Sequence, residues 1–298
     1  MIKVGIYGPD TLEDPVRKQL LRLLLRHPDV DLRAVASPAG NTVPIAELHP
    51  VYAGETELTL ERVLCLDNLD VLFVIDEENL TPEIIEKFRN DSDFKLIVLG
   101  KAANLRKNLP SDIVYGLPEA NRKALVRGAR AAVSPTPESM IIELALFPLA
   151  KNALLNDAVT VDLASKTELG EAVAEAEIFL GAVQPSFGKK ISFKNSPEAP
   201  FERLDAEIRM KTPIAIEEID RLYRDAYDDH NFVYVVPGFG GLDEDLRGSN
   251  KCLLQLNKEE DTLVIHATMD ALTKGCTGNA VHIMDLLYGL HERTGLSI

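Results

Sequence analysis

In the first half of the chain, apolar residues fall in short unbroken runs separated by stretches of helical spacing. Lys3–Tyr7 reads as a buried strand that ends at Gly8, and Leu32–Ala36 reads as the next. Val71–Ile75 (V-L-F-V-I) and Leu96–Leu99 (L-I-V-L) are further runs with no polar break. Between them, Asp14–Arg26 sets Val16, Leu20, Leu23 and Leu24 at helical spacing with Pro28 just beyond, and Thr81–Phe88 is a helix capped by Thr81. Strands that are apolar on both faces and alternate with helices predict a parallel sheet covered on both sides.

The pattern changes beyond the strand Arg130–Val133. Thr136-Pro137-Glu138 opens a helix with Ile141, Leu144, Ala145 and Leu149 on one face. Thr136 can cap it, Pro137 suits its first turn, and Glu138 complements the positive end of its dipole. A turn of this kind would stabilise a thiolate, but it contains no cysteine, and Ser139 has no evident base. Further on, Val159–Leu163, Glu207–Lys211, Phe232–Val236, Cys252–Leu256 and Thr262–Ala267 read as strands of a more antiparallel α+β unit, and a helix over Ala280–His291 closes the chain.

Composition narrows the class. A chain of 298 residues that is 46% hydrophobic can bury a large core, and two domains are expected. No apolar run reaches the ~18 residues of a membrane span, and Met1-Ile2-Lys3-Val4 enters a strand directly without the layout of a signal peptide. A cytoplasmic protein is expected. The net charge of −15 argues against nucleic acid or an anionic membrane as partner. Cys65, Cys252 and Cys276 are scattered and odd in number, so neither a disulfide framework nor a metal site is expected.

Several stretches together carry a resemblance. They are Tyr115-Gly116-Leu117-Pro118-Glu119-Ala120-Asn121-Arg122, the Pro135 turn, Gly248-Ser249-Asn250-Lys251-Cys252, and Lys274-Gly275-Cys276-Thr277-Gly278-Asn279-Ala280-Val281-His282-Ile283-Met284. Leu290–Leu296, Leu21–Pro28 and His49-Pro50 with Gly54 add to the pattern. In this order, over almost the whole chain, they resemble N-acetyl-γ-glutamyl-phosphate reductase of the semialdehyde dehydrogenase group, used in arginine synthesis. The resemblance implies a Rossmann-type parallel-sheet domain (1–136 and 275–298) with the last helix folded back onto it. It also implies a central α+β domain (137–274), and assembly into a dimer or tetramer through that domain's sheet.

The family's activity is NADPH-dependent reduction of an acyl phosphate to a semialdehyde through a cysteine thioester, with a histidine assisting proton transfer. Set against it, the nucleophile position is Pro137 within Ser134-Pro135-Thr136-Pro137-Glu138, and the two histidine positions are Glu202 and Leu204, while Arg203, Glu207 and Ile208 remain. Ser165-Lys166-Thr167-Glu168-Leu169-Gly170 replaces a loop richer in glycine. A covalent thioester needs both nucleophile and activating base, and no catalytic residue is assigned here.

At the cofactor end, NADP or NAD enters only through the resemblance, with Gly8, Ser37, Gly278 and Asn279 as the implied contacts and Gly278-Asn279 as the nicotinamide end. The loop Gly8-Pro9-Asp10-Thr11-Leu12-Glu13-Asp14-Pro15 keeps one glycine and puts carboxylates where backbone amides would meet phosphate. Ser37-Pro38-Ala39-Gly40-Asn41 lacks the arginine for a 2′-phosphate, Arg33 lies within the strand, and Ile75-Asp76-Glu77-Glu78 is acidic. NADPH in the usual pose is therefore not expected.

The remaining chemistry-bearing residues read as structural. Cys276 beside glycines at a helix start, Cys252 after a strand start, and Cys65 in the amphipathic Leu60–Leu66 stretch read as packing. His266 on a strand and His282 on the last helix read as satisfied structural residues. His230 beside Asp228 and Asp229 reads as a solvated turn, and Gly238-Phe239-Gly240-Gly241 as a flexible loop. Two functions follow. The first is a reductase-like protein that has lost the family reaction and acts as a binding or regulatory homologue, including as partner of an active reductase. The second is an active NAD(P)-dependent reductase of N-acylglutamyl phosphate or a related semialdehyde, working through a rearranged site.

Overall fold

Unbroken apolar runs form the inner strands of one sheet, and alternating runs form a second sheet that is covered on one face. The computed structural model describes residues 1–9, 14–38, 42–100, 112–188, 191–196, 202–239 and 246–297. It divides into two compact units, Met1–Ser134 with Cys276–Leu296 and Pro135–Gly275 with Ser297–Ile298. Among the described residues no helix is long and apolar enough to cross a membrane.

The first unit is built on an eight-stranded sheet of β1 (Ile2–Tyr7), β2 (Val30–Ala36), β3 (Val43–Pro44), β4 (Thr59–Glu61), β5 (Val71–Ile75), β6 (Lys95–Leu99), β7 (Val114–Tyr115) and β8 (Ala131–Ser134). Its order is β3-β4-β2-β1-β5-β6-β8-β7, parallel except for β3 against β4. β5 is buried along its whole length, as a strand covered on both faces must be. The connections carry α1 (Pro15–Leu25), α2 (Ile45–Leu48), α3 (Pro82–Asn90) and α4 (Pro118–Val126). The closing helix Gly278–Leu287 packs on α1, α4, β6 and β8 of this unit.

That closing helix is shorter than the expected Ala280–His291. It stops at Gly289, whose φ is +66°. The Gly289 N–H donates to Leu286 O (3.2 Å) and the Leu290 N–H to Asp285 O (2.8 Å). This pair of bonds terminates a helix at a left-handed glycine. Cys65 is also placed differently, being exposed rather than packed. Leu64 and Leu66 turn toward the core cluster around Leu72 and Phe88, so alternation leaves Cys65 on the outer side.

The second unit carries α5 (Pro137–Lys151), α6 (Gly170–Val183) and α7 (Ile216–Tyr227) with strands β9 (Val159–Ala164), β10 (Ile191–Asn195), β11 (Arg203–Lys211), β12 (Val233–Val235), β13 (Cys252–Glu259) and β14 (Thr262–Asp270). The closing helix Gly278–Leu287 is thus α8 in chain order. The sheet order is β10-β9-β11-β14-β13-β12, and its centre, β9-β11-β14-β13, is antiparallel. β11 alternates strictly: Leu204, Ala206, Ile208 and Met210 are buried while Arg203, Asp205, Glu207 and Arg209 are half-exposed.

α5 departs from the expected single apolar face. Every residue from Glu138 to Ala150 is buried, because α6, α7, β11 and β14 all pack on it. The helix also contains Pro148, which has no N–H to give to Leu144 O four residues earlier. Tyr227 Oη supplies the missing donor at 2.5 Å, and Tyr223 Oη donates to the next carbonyl, Ala145 O, at 2.5 Å. Both tyrosines are buried, and burial raises the Tyr223 hydroxyl far above the ordinary phenol value.

Candidate functional site

At the start of α5, Thr136 is the N-cap and accepts from the Ser139 N–H (3.4 Å), and Pro137 occupies the first helical turn. The polar groups gathered here are hydroxyls and carboxylates. Glu138 Oε1 accepts from Ser165 Oγ (2.8 Å) and Thr167 Oγ1 (2.6 Å). Glu175 Oε2 accepts from Thr136 Oγ1 (2.7 Å) and the Thr136 N–H (3.2 Å). Ser139 does have a carboxylate in reach, since its Oγ donates to Glu143 Oε1 at 2.8 Å, but both residues are fully buried. The ring of Pro137 is closed over by Gly275, where an added Cβ would lie 2.8 Å from Pro137 Cβ and 3.2 Å from Met269 Cε.

In the first unit, Gly8 lies at the end of β1 with φ +86°, and a Cβ there would come within 2.5 Å of Ile75 O. Its carbonyl and that of Pro9 accept from Arg17 Nη1 at 3.2 and 3.4 Å, and Pro9 O also accepts from Ser37 Oγ at 2.6 Å. Arg17 is wholly buried, and that burial holds its guanidinium below the ordinary value against the opposing pull of Asp14. Asp14 caps α1 by accepting from the Arg17 N–H at 2.7 Å, and Pro15 in the first turn has no N–H. The structure thus brings Gly8 and Ser37 together around Arg17, a residue whose inward course the sequence reading missed. Asp10, Thr11, Leu12 and Glu13, and likewise Ala39, Gly40 and Asn41, lie outside the described residues. Arg33 is more than half exposed and pairs with Asp31 at 2.5 Å. Asp76 follows β5 with φ +59°, and its N–H donates to Leu99 O.

At the start of α8, Asn279 is fully buried. Its Nδ2 donates to Gly116 O (2.8 Å) and Ser134 Oγ (2.9 Å), tying the helix to β8 and the segment before α4. Gly278 beside it is buried as well.

Residues 15–127 match the semialdehyde dehydrogenase NAD-binding domain family. Over its full length the chain is 31% identical to the N-acetyl-γ-glutamyl-phosphate reductase of Phocaeicola vulgatus, covering 98% of that protein. It is 32% identical to that of Bacteroides thetaiotaomicron, again over 100% of this chain and 98% of the relative. The chain belongs to the N-acetyl-γ-glutamyl-phosphate reductase family. Its fold is shared with aspartate semialdehyde dehydrogenase of Candida albicans solved with NADP, at a TM-score of 0.70 and 13% identity over 96% of this chain and 98% of that one. The aspartate semialdehyde dehydrogenase II of Vibrio cholerae superposes with a TM-score of 0.65 at 16% identity, over 96% of this chain and 98% of that one.

In this member of the reductase family, Glu202 and Leu204 flank Arg203 at the start of β11. Glu202 has φ +74°, its carbonyl accepts from the Ala271 N–H (2.6 Å), and its carboxylate lies 3.6 Å from Arg247 Nε. Leu204 is on the buried face of the strand opposite Met269. Cys276 is half-buried in the turn Thr273–Thr277 ahead of α8, and Cys252 is buried in β13. His282 Nε2 lies 2.9 Å from Glu292 Oε2, and His266 Nδ1 lies 3.7 Å from Glu207. His230 is half-buried with its ring edge-on to Tyr227, beside the exposed Asp228 and Asp229. Gly238 and Phe239 follow β12, while Gly240 and Gly241 lie outside the described residues.

Proposed function

We propose that this reductase-family chain has lost the thioester chemistry of its relatives and acts as a binding or regulatory homologue. Pro137 carries the argument. It stands where the resemblance puts the nucleophile and has nothing to attack with. Its neighbours are the buried carboxylates Glu138 and Glu175, which would oppose a thiolate rather than support one. Glu202 and Leu204, in the histidine positions, offer no imidazole for proton transfer. The start of α1 supports the same reading. A helix start binds pyrophosphate through unclaimed amides, whereas here Pro15 has none and the Arg17 N–H is held by Asp14.

The central sheet supports assembly with a second copy or with an active reductase of the same fold. The outward residues of β11 form a half-exposed row of cations and carboxylates, Arg203, Asp205, Glu207 and Arg209, with Arg209 on Glu207 (2.6 Å) and on Glu259 of β13 (2.7 Å). Activity is tested by phosphate-dependent reduction of NADP⁺ with N-acetylglutamate semialdehyde, and binding by thermal shift with NADPH and NADH. The proposal expects no turnover from the wild-type chain or from Pro137→Cys. It also expects no upward shift at micromolar dinucleotide, where bound ligand at a hundredfold excess would stabilise by about 2.7 kcal/mol. Robust wild-type turnover that is lost in Cys276→Ser would instead establish a rearranged, active reductase.

A further inference from the structure

One face of α8 carries two buried carboxylate contacts a turn apart, and together they hold the chain that follows the helix. His282 meets Glu292 at 2.9 Å, and Glu292 also takes Arg122 of α4 at 2.6 Å. Asp285, fully buried, accepts from His27 at the end of α1 through Oδ1 (3.0 Å), while its Oδ2 has no hydrogen-bond partner among the described residues. The Asp29 N–H donates to His27 Nδ1 (3.2 Å), so that nitrogen is the acceptor and Nε2 carries the hydrogen given to Asp285. Gly295 lies against the same ring, where a Cβ would come within 2.5 Å of His27 Cδ2. The turn 289–296 therefore packs, through Gly295 on His27 and Glu292 on His282, beside a buried carboxylate whose hydrogen-bond donor among the described residues is His27.

We propose that residues 289–296 form a proton-dependent clasp, held tight when Asp285 carries a proton and loosened when it ionises. An ionised Asp285 is a buried charge with an unsolvated oxygen, and the shortest way to hydrate it is to lift the turn packed beside it. The other charges that act on it are repulsive, Asp29 and Glu292. On neighbouring elements Arg122 is held by Glu292, Arg26 at the end of α1 by Glu55 (3.2 Å) and Lys95 over the Tyr288 ring at 4.8 Å, and α4 adds the buried Glu119. Burial, together with Asp29 and Glu292, lifts the Asp285 carboxyl to about 6 against the pull of His27. Glu292, by contrast, is drawn down to about 2 by His282 and Arg122 and stays ionised across this range. The proton on Asp285 favours the closed form, so opening increases as pH rises from about 4 and levels off above about 6.

The test is hydrogen exchange of the 289–296 amides in the full chain between pH 4 and 8, corrected for intrinsic rate. The wild type is expected to lose protection roughly tenfold between pH 5 and 7, and roughly fiftyfold over the whole range. Asp285→Asn should make protection of this turn flat with pH. Equal pH dependence in wild type and variant, or a flat wild type, overturns the clasp. Carboxyl NMR of the unmodified chain gives a second reading that needs no variant. Asp285 titrating near 6 supports the clasp, and titration near the ordinary aspartate value overturns it.

Discussion

The substitution Tyr227→Phe tests whether a tyrosine on α7 completes the hydrogen bonding of α5. Pro148 leaves Leu144 O without its helical donor, and Tyr227 Oη occupies that acceptor at 2.5 Å inside a fully packed core. Removing the hydroxyl keeps the ring and strands a buried carbonyl, a loss of about 1–3 kcal/mol. Pro148→Ala restores an N–H at the position that helix geometry assigns to Leu144 O, so in that background Tyr227→Phe should cost little. The two changes should couple by about 1–2 kcal/mol in a double-mutant cycle. Tyr223→Phe is the control: helix geometry assigns its acceptor, Ala145 O, to the N–H of Leu149, so its coupling to Pro148→Ala should stay below about 0.5 kcal/mol. Urea unfolding followed by circular dichroism measures all the corners of the cycle. Tyr227→Phe costing the same in the wild-type chain as in the Pro148→Ala background would refute the reasoning.

Three further outcomes are expected. Asp285→Asn should stabilise the chain at pH 7 by up to about 3 kcal/mol and change little at pH 4. The sign follows because an acid whose folded value lies above its unfolded one penalises the fold only above that unfolded value; a destabilised variant at pH 7, in urea unfolding, would contradict it. Gly8→Ala should cost about 2–4 kcal/mol, since φ +86° and the nearby Ile75 O leave the methyl no room to relax, and a neutral thermal midpoint would sink that account. The thiol of Pro137→Cys should ionise at or above the ordinary ~8.5, because Glu138 and Glu175 offset the helix start. Alkylation rate against pH measures it, and ionisation below ~7 would show that the dipole wins.

The sheet of the first unit was readable because strands covered on both faces leave a signal that no polar residue interrupts, as in Val71–Ile75. β3, β4 and β7 span two or three residues each, too few for any periodicity to register. The N-cap residues of α6 and α7, Leu169 and Ala215, have no capping side chain, so the usual start signal is missing. α7 did carry a readable stripe, Ile219, Tyr223, Ala226 and Tyr227, which the sequence reading left unassigned between the strands expected at Glu207–Lys211 and Phe232–Val236. At the candidate site, the residue types at 137, 202 and 204 were plain in the sequence. The partners were not: Glu175 reaches Thr136 from 39 residues away, and an arginine on α1 reads as solvent-facing until the fold turns it inward.

The burial of α5 on every side has a consequence for how the chain is made. From Glu138 to Ala150 every residue of this helix is buried in the finished fold, yet α6, α7, β11 and β14, which enclose it, are all encoded after it. At roughly 5–20 residues per second, translation leaves the helix uncovered for several seconds before Tyr223 and Tyr227 emerge to take its carbonyls. Ribosome-associated chaperones have a defined window there, and synonymous codons between positions 151 and 227 set how long it stays open.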